Sequence, residues 1–342
     1  MGDTMLAAVC QGRRSITVEE LPVPDPGDGE VMIEVSHCGI CGSDLHYVIE
    51  GWGQPGAVHG HEYSGTVVSV GPGAERIRVG DRVVGGPGRR CGVCRPCMSG
   101  RSNLCVEHNI AGEPFQGAFA RFKTMPIDSV YPIPGSLDLR TAALAEPVAV
   151  ALRGVRRSGL RPGDRALVTG GGPIGTLTVA TLRALGIDDI TLSEPHPLRR
   201  KLAESVGARH TCLPDAFSSK AMPTEIVDEP FDAAIECSGR AEAMETALSQ
   251  LAKGGTLVLS GTGMTRPKLE AIRVIINELT VTGSCEYTPD DFQAAIDLLD
   301  SGKLPTATLI EDGDVPLGGV LAAMERLASG ELAGKVLVTP NA

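Results

Sequence analysis

The 342-residue chain lacks a surplus of basic residues, a long apolar run and a disulfide-dense composition. Its 31 Lys and Arg stand against 42 Asp and Glu, a net charge of −11. Nucleic acid and anionic membrane both select basic surfaces, so neither is expected as the main partner. The pairs Arg13-Arg14, Arg89-Arg90 and Arg156-Arg157 are too scattered to reverse the sign and read as solvated faces. The longest uncharged run, between Arg165 and Arg183, holds four glycines and a proline and is short for a membrane span. No basic-then-apolar pattern opens the sequence, which points to the cytoplasm. The 43 Gly and 24 Pro make about a fifth of the chain, under the ~25–30% of low-complexity sequence, and they fall between apolar runs as turns. No internal repeat is present. Ten cysteines are too few for a disulfide scaffold at this length, and clustered cysteines in a reducing compartment are more often metal ligands.

A hydrophobic content of 42% suffices for real cores, and the length fits two domains at about 100–200 residues each. Residues 1–150 read as β-rich: Val31–Val35 and Thr66–Val70 are β-branched runs bounded by Pro/Gly turns. From 151 to 285 strands alternate with helices. Arg165–Thr169, Asp189–Leu192, Asp232–Glu236 and Thr256–Leu259 read as strands, and Pro173–Leu185 and Leu198–Val206 as helices. That rhythm implies βαβ units and a parallel sheet. The segment 286–342 is mixed, with helices near Pro289–Ser301 and Gly318–Ser329 and a last strand at Lys335–Thr339.

Gly170-Gly171-Gly172-Pro173-Ile174-Gly175 fits G-x-G-x-x-G between a strand and a helix, with Glu194 nineteen residues beyond. In such a turn Gly170 reverses the chain, Gly172 admits a pyrophosphate to the backbone and Gly175 packs helix on strand. The helix N-terminus, opened by Pro173, offers free N–H groups from Ile174 onward to phosphate. Glu194 would accept the adenosine ribose hydroxyls and repel a 2′-phosphate, favouring NAD over NADP. Arg199 and Arg200 lie close enough in sequence to leave that preference open. A glycine turn that binds no cofactor is the alternative.

Cys91, Cys94, Cys97 and Cys105 form C-x2-C-x2-C-x7-C in a lobe, 85–110, that is poor in apolar residues. Four thiolates close a tetrahedron around zinc, which marks a structural rather than catalytic site. A redox C-x-x-C pair and a zinc ribbon that reads nucleic acid are the alternatives; the spacing argues against the first and the acidic charge against the second. His108 is surplus to this set and reads as a surface residue. Cys41-Gly42-Ser43-Asp44-Leu45-His46 and Gly60-His61-Glu62 add Cys, His and carboxylate donors suited to an open zinc site.

These motifs, in this order, resemble the zinc-dependent medium-chain alcohol dehydrogenase family over nearly the whole chain. Within it the chain is similar to the sorbitol, threonine and butanediol dehydrogenase branch, where a Glu-Pro pair (here Glu146-Pro147) replaces a cysteine ligand. The resemblance implies an α/β protein: a GroES-like β-rich catalytic domain built from both chain ends, plus a Rossmann domain with a doubly wound parallel sheet. It implies two zinc ions per chain and NAD. Cys41, His61 and Glu62 would hold the catalytic zinc, with Glu146 approaching directly or through water and Asp44 orienting a ligand histidine. His59 and Cys38 match no family role and read as structural or pocket-lining and as packing, respectively.

Carried over from the family, Ser43 accepts the substrate proton and passes it through the nicotinamide ribose to His46 as hydride leaves for the nicotinamide. The loops Cys237-Ser238-Gly239, Ser260-Gly261-Thr262 and Gly283-Ser284-Cys285 match cofactor-contacting loops, and Tyr47 and Trp52 are expected to line the substrate pocket. Where polyol-dehydrogenase relatives tend to carry an Arg-Tyr pair, this chain has Glu286-Tyr287. That change shifts the expected substrate from sorbitol towards an amino alcohol. The leading expectation is an NAD-linked dehydrogenase of a secondary alcohol, polyol or amino alcohol, assembled as a homodimer or homotetramer. The alternatives are an NADPH-preferring carbonyl reductase and a non-catalytic nucleotide-binding zinc protein.

Overall fold

Val31, Ile33 and Val35 alternate with less buried residues along β3 (Glu30–Gly39), and this period of two turns one face of the strand into a core. A computed structural model describes residues 3–74, 76–86, 88, 90–107 and 117–342. Arg89, His108 and parts of the 85–110 lobe lie outside the described residues.

The chain divides into two units, the first being Met1–Pro147 with Thr288–Gly302 and Ile310–Ala342. Within it β1 (Thr4–Gly12) and β2 (Ser15–Pro22) form an antiparallel pair. β3 pairs antiparallel with β4 (Glu62–Val70), and β4 in turn with β5 (Arg82–Gly85). β6 (Phe122–Pro126) joins the other side of β3, and β7 (Val130–Pro132) joins β5. Helix α1 (Gly42–Val48) starts directly after β3. Its entry is tied by the Asp44 carboxylate, which accepts from the Cys41 backbone N–H at 2.9 Å.

The second unit is Val148–Tyr287 with Lys303–Leu309. Helix α2 (Ala145–Ser158) leads towards it in the sequence. Its strands are β8 (Arg165–Thr169), β9 (Asp189–Ser193), β10 (His210–Cys212), β11 (Phe231–Glu236), β12 (Leu251–Leu259) and β13 (Thr280–Gly283). They form one parallel sheet in the order β10-β9-β8-β11-β12-β13. Ala166–Val168 and Ala233–Ile235 are buried without alternation, as strands covered on both faces require. Helices α3 (Pro173–Ala184) and α4 (Pro197–Ser205) follow β8 and β9. Strand β12 begins five residues before the expected Thr256, because Leu251 pairs with Phe231 ahead of an irregularity in the ladder.

The chain then returns to the first unit, except for Lys303–Leu309, which groups with the second. Strands β14 (Val315–Pro316) and β15 (Leu337–Thr339) extend the first sheet, β15 pairing antiparallel with the end of β3. The helix expected from Gly318 starts at Val320, behind a 3-10 turn at Leu317–Gly319.

Candidate active site and metal centres

Three strand ends meet in the first unit: Gly39 of β3 lies opposite Glu62 at the start of β4 and opposite Leu337 of β15. This register brings Cys41, just past β3, beside His61 and Glu62. One donor atom from each of the three lies within 4.8 Å of the others. Asp44 fastens the two loops together, accepting from Cys41 N–H at 2.9 Å and Gly60 N–H at 3.3 Å. Its distance to His61 Nδ1 is 3.8 Å, so here it clamps the loops rather than hydrogen-bonding the ring.

The donors fit a cation. Burial disfavours a charged His61, but the Cys41 thiolate and then the Asp44 carboxylate outweigh it and hold the imidazole pKa well above its ordinary value. Glu146, buried in the first turn of α2, adds to the same pull. It is not one of the three close donors.

Sequence reasoning missed Lys335. Its ammonium lies 2.7 Å from the Glu62 carboxylate and donates to the Ile40 carbonyl at 3.1 Å, with both charged side chains fully buried. Burial opposes the charge on Lys335, yet Glu62 restores it and raises the pKa.

Ser43 and His46 stand three residues apart on α1, hence on one face. His46 is stacked on Trp52 with ring centroids 4.6 Å apart, and Tyr47 on His59 at 5.0 Å. Cys38 is packed in the core and His59 is buried, as the sequence suggested.

The second centre is the four-cysteine lobe. A helical turn at Arg95–Met98 and a 3-10 turn at Ser102–Leu104 bring the sulfurs of Cys91, Cys94, Cys97 and Cys105 within 4.8 Å of one another. So many thiols cannot ionise together without a cation. Backbone N–H groups of Cys97 and Val106 draw the Cys94 pKa down to about 6. Desolvation and the Cys94 thiolate hold Cys97 up at about 12. Four sulfurs poised in this way match a closed tetrahedral zinc site.

In the second unit the glycine turn follows β8. Gly170 has φ +91°, in the left-handed region, and a Cβ on Gly175 would lie 1.8 Å from the Gly170 carbonyl oxygen. Gly172 caps α3 and Pro173 opens it, while Ile174 remains half-buried. The sheet order reverses between β8 and β11, where an open α/β sheet leaves its ligand crevice. The loops after β11 and β12 pack there backbone to backbone: a Cβ on Gly261, between Ser260 and Thr262, would be 2.2 Å from Gly239 N.

A buried residue not foreseen, Glu236, clasps the β11 loop by accepting from Ser238 N–H at 2.6 Å and Gly239 N–H at 3.0 Å. Ser284 N–H donates to the Leu259 carbonyl at 2.8 Å, so the β13 loop carrying exposed Cys285 stands beside β12. Glu286 follows with φ +48°. Glu194 is buried just beyond β9, accepting from Gly171 N–H at 2.7 Å and His196 N–H at 2.8 Å. Arg200 turns to backbone, donating to the carbonyls of Glu194 and Pro195 at 2.7 and 2.8 Å.

These features are those of a two-unit dehydrogenase with a metal-binding unit and a dinucleotide-binding unit. Residues 27–135 match the family model of the alcohol dehydrogenase GroES-like domain, and 173–301 that of zinc-binding dehydrogenase. Sorbitol dehydrogenase of Bacillus subtilis is 35% identical, with 98% of each chain covered. Among solved structures, 2R,3R-butanediol dehydrogenase of Bacillus subtilis superposes with TM-score 0.86 at 31% identity, covering 98% of this chain and all of that one. A candidate zinc-binding dehydrogenase of Sinorhizobium meliloti bound to NADP does so with TM-score 0.87 at 33% identity, covering 99% of this chain and all of that one. The chain belongs to the zinc-dependent medium-chain alcohol dehydrogenase family. It is an oxidoreductase of small-molecule alcohols that uses zinc and a nicotinamide dinucleotide. Among the described residues no helix is long and apolar enough to cross a membrane.

Proposed function

We propose that the protein oxidises a secondary alcohol, polyol or amino alcohol with NAD, carrying two zinc ions per chain. The convergence of Cys41, His61 and Glu62 donors carries this reading: three ligands leave a tetrahedral ion one position for substrate. Zinc held there supplies Lewis acidity that lowers the pKa of an alcohol hydroxyl, and the nicotinamide supplies the hydride acceptor. Ser43, on the first turn of α1, takes the hydroxyl proton, and His46, one turn on, holds it. Glu146 adds negative charge that steadies the cation. In the first unit Tyr47 and Trp52 are assigned to substrate binding; in the second unit the acid Glu286, where relatives tend to carry Arg, favours an amino group on the substrate.

For the cofactor, the turn Gly170–Gly175 holds the pyrophosphate at the α3 N-terminus, with Ser238, Ser260, Gly261, Thr262, Ser284 and Cys285 along the dinucleotide. The Glu194 carboxylate, held by Gly171 and His196 N–H, sets a negative charge that favours a ribose hydroxyl over a 2′-phosphate. Arg199 and Arg200 nearby, and the NADP bound to the Sinorhizobium meliloti relative, support the second reading of an NADPH-preferring reductase. We further infer a homodimer or homotetramer, and a cytoplasmic location, which the ten free cysteines support.

The test is NAD and NADP reduction across polyols, diols, amino alcohols and simple alcohols, with Cys41→Ala as control. Turnover with NAD, abolished in a folded Cys41→Ala protein, is the expected result. Undiminished turnover in that variant would reject the assigned metal site.

A further inference from the structure

Glu236 ends β11 beside the point where the sheet order reverses, and it is fully buried. Its two polar ends serve different loops. The main-chain carbonyl accepts from Ser260 N–H and Gly261 N–H, both at 2.8 Å, and so ties the loop after β12. The carboxylate turns to the loop after its own strand. Its Oε1 accepts from Ser238 N–H at 2.6 Å, from Gly239 N–H at 3.0 Å and from the Ser238 hydroxyl. The Ser238 oxygen in turn accepts from Arg240 N–H at 3.2 Å, where the helix Ala241–Ser249 begins. Gly239 has φ +70°, a left-handed conformation that glycine adopts at no steric cost, and its N–H follows that of Ser238 onto the same oxygen.

Successive backbone N–H groups that converge in this way form an anion-binding hollow, and here the chain fills it with a carboxylate of its own. Burial pushes the Glu236 pKa up, while the hydrogen bonds from Ser238 and Gly239 draw it back. The loop held by this acid is packed on the glycine turn, since a Cβ on Gly170 would stand 2.8 Å from Ser238 N. Without the carboxylate, the Ser238 and Gly239 N–H groups lose their acceptor, and the loop must turn to find others. We propose that Glu236 is a positioning residue for the dinucleotide: its carboxylate holds the Ser238-Gly239 turn, before the cofactor arrives, in the shape on which the cofactor lies.

This inference rests on the reading that lays the dinucleotide along Ser238 in this crevice. Glu236 acts through the loop rather than on the reacting atoms, so its effect falls on affinity. A ligand whose site is formed only part of the time binds more weakly by that fraction, and a loop formed a tenth of the time costs about tenfold. Glu236→Ala removes the carboxylate and leaves the carbonyl ties to Ser260 and Gly261. Glu236→Gln can keep an amide oxygen in the Oε1 place, losing only the 3.2 Å approach of Gly239 N–H to Oε2. Glu236→Leu fills the space without an acceptor and replaces the alanine variant if that one does not fold. The zinc-loaded enzymes are compared by NADH fluorescence titration, by KM for NAD and kcat, and by thermal unfolding. Hydrogen exchange at the Ser238 and Gly239 amides is followed with and without NADH.

Glu236→Ala is expected to raise the NADH dissociation constant and KM for NAD about tenfold, with zinc content unchanged and kcat at saturating NAD within about twofold of the parent. Glu236→Gln recovers the affinity to within about threefold of the parent. The two amides exchange slowly in the cofactor-free parent and rapidly in Glu236→Ala, and NADH slows them again in that variant. A Glu236→Ala protein that melts lower yet binds NADH within about twofold of the parent overturns the proposal and leaves Glu236 a residue of the fold alone. Rapid exchange of both amides in the cofactor-free parent overturns it as well, and that result needs no variant to fold. Gly175→Ala separates the two levels of the argument. If it weakens NADH binding while Glu236→Ala does not, only the Glu236 role falls; if neither variant does, the placement of the dinucleotide in this crevice falls with it.

Discussion

At the scale of single residues, the oddest choice in the first unit is a fully buried lysine beside the proposed ligand Glu62. An ion pair sealed from water is weak evidence for stability, yet removing one partner strands the other. Lys335→Met should therefore destabilise the metal-free protein by about 3–5 kcal/mol in urea unfolding, since Glu62 would be left as a bare buried anion. Adding Glu62→Gln should return part of that loss, because the amide carries no charge to strand. Equal losses in the single and double variants would show that packing, not charge, sets the effect. No local pattern could have announced this pair, since 273 residues separate its members.

At the scale of elements, what was legible were features whose meaning lies within a few residues. The four cysteines and the glycine turn each declare their geometry by spacing, and both occur as expected. Strand ends were less legible: β12 starts early at Leu251 because its neighbour β11 supplies a partner there, a tertiary effect on a weak local signal. Glu236 was passed over as one more strand residue, since only the folded loop turns backbone N–H groups onto its carboxylate. The glycine turn yields a sharp expectation. In Gly175→Ala the new methyl would overlap the Gly170 carbonyl, so α3 must shift off the turn. Overpacking of this kind costs about 1–3 kcal/mol; if that strain falls on the bound form, the NADH dissociation constant rises roughly five- to 150-fold by fluorescence titration. Unchanged affinity would mean that the dinucleotide does not rest on this turn.

At the scale of the whole molecule, the two proposed metal centres differ in character and are expected to respond differently to removal. Elemental analysis should find two zinc ions per chain in the parent and one in Cys97→Ser, the catalytic ion remaining. That variant should unfold at lower temperature, because the lobe has little apolar core to replace its metal. Cys41→Ala should also keep one ion, but lose turnover rather than thermal stability. A single zinc in the parent would separate the four-cysteine lobe from the Cys41 centre and leave only one of them metallated.

The pairing of β15 with β3 also has a consequence for how the protein comes into being. A ribosome delivers Cys41, His61 and Glu62 long before Lys335, so Glu62 meets its counterion only once Lys335 has emerged. The middle of the chain, by comparison, is complete in itself once Leu309 has been made. A cut ahead of Lys335 would part β15 and the ammonium from Glu62 together, with Cys41, His61 and Glu62 left in the chain.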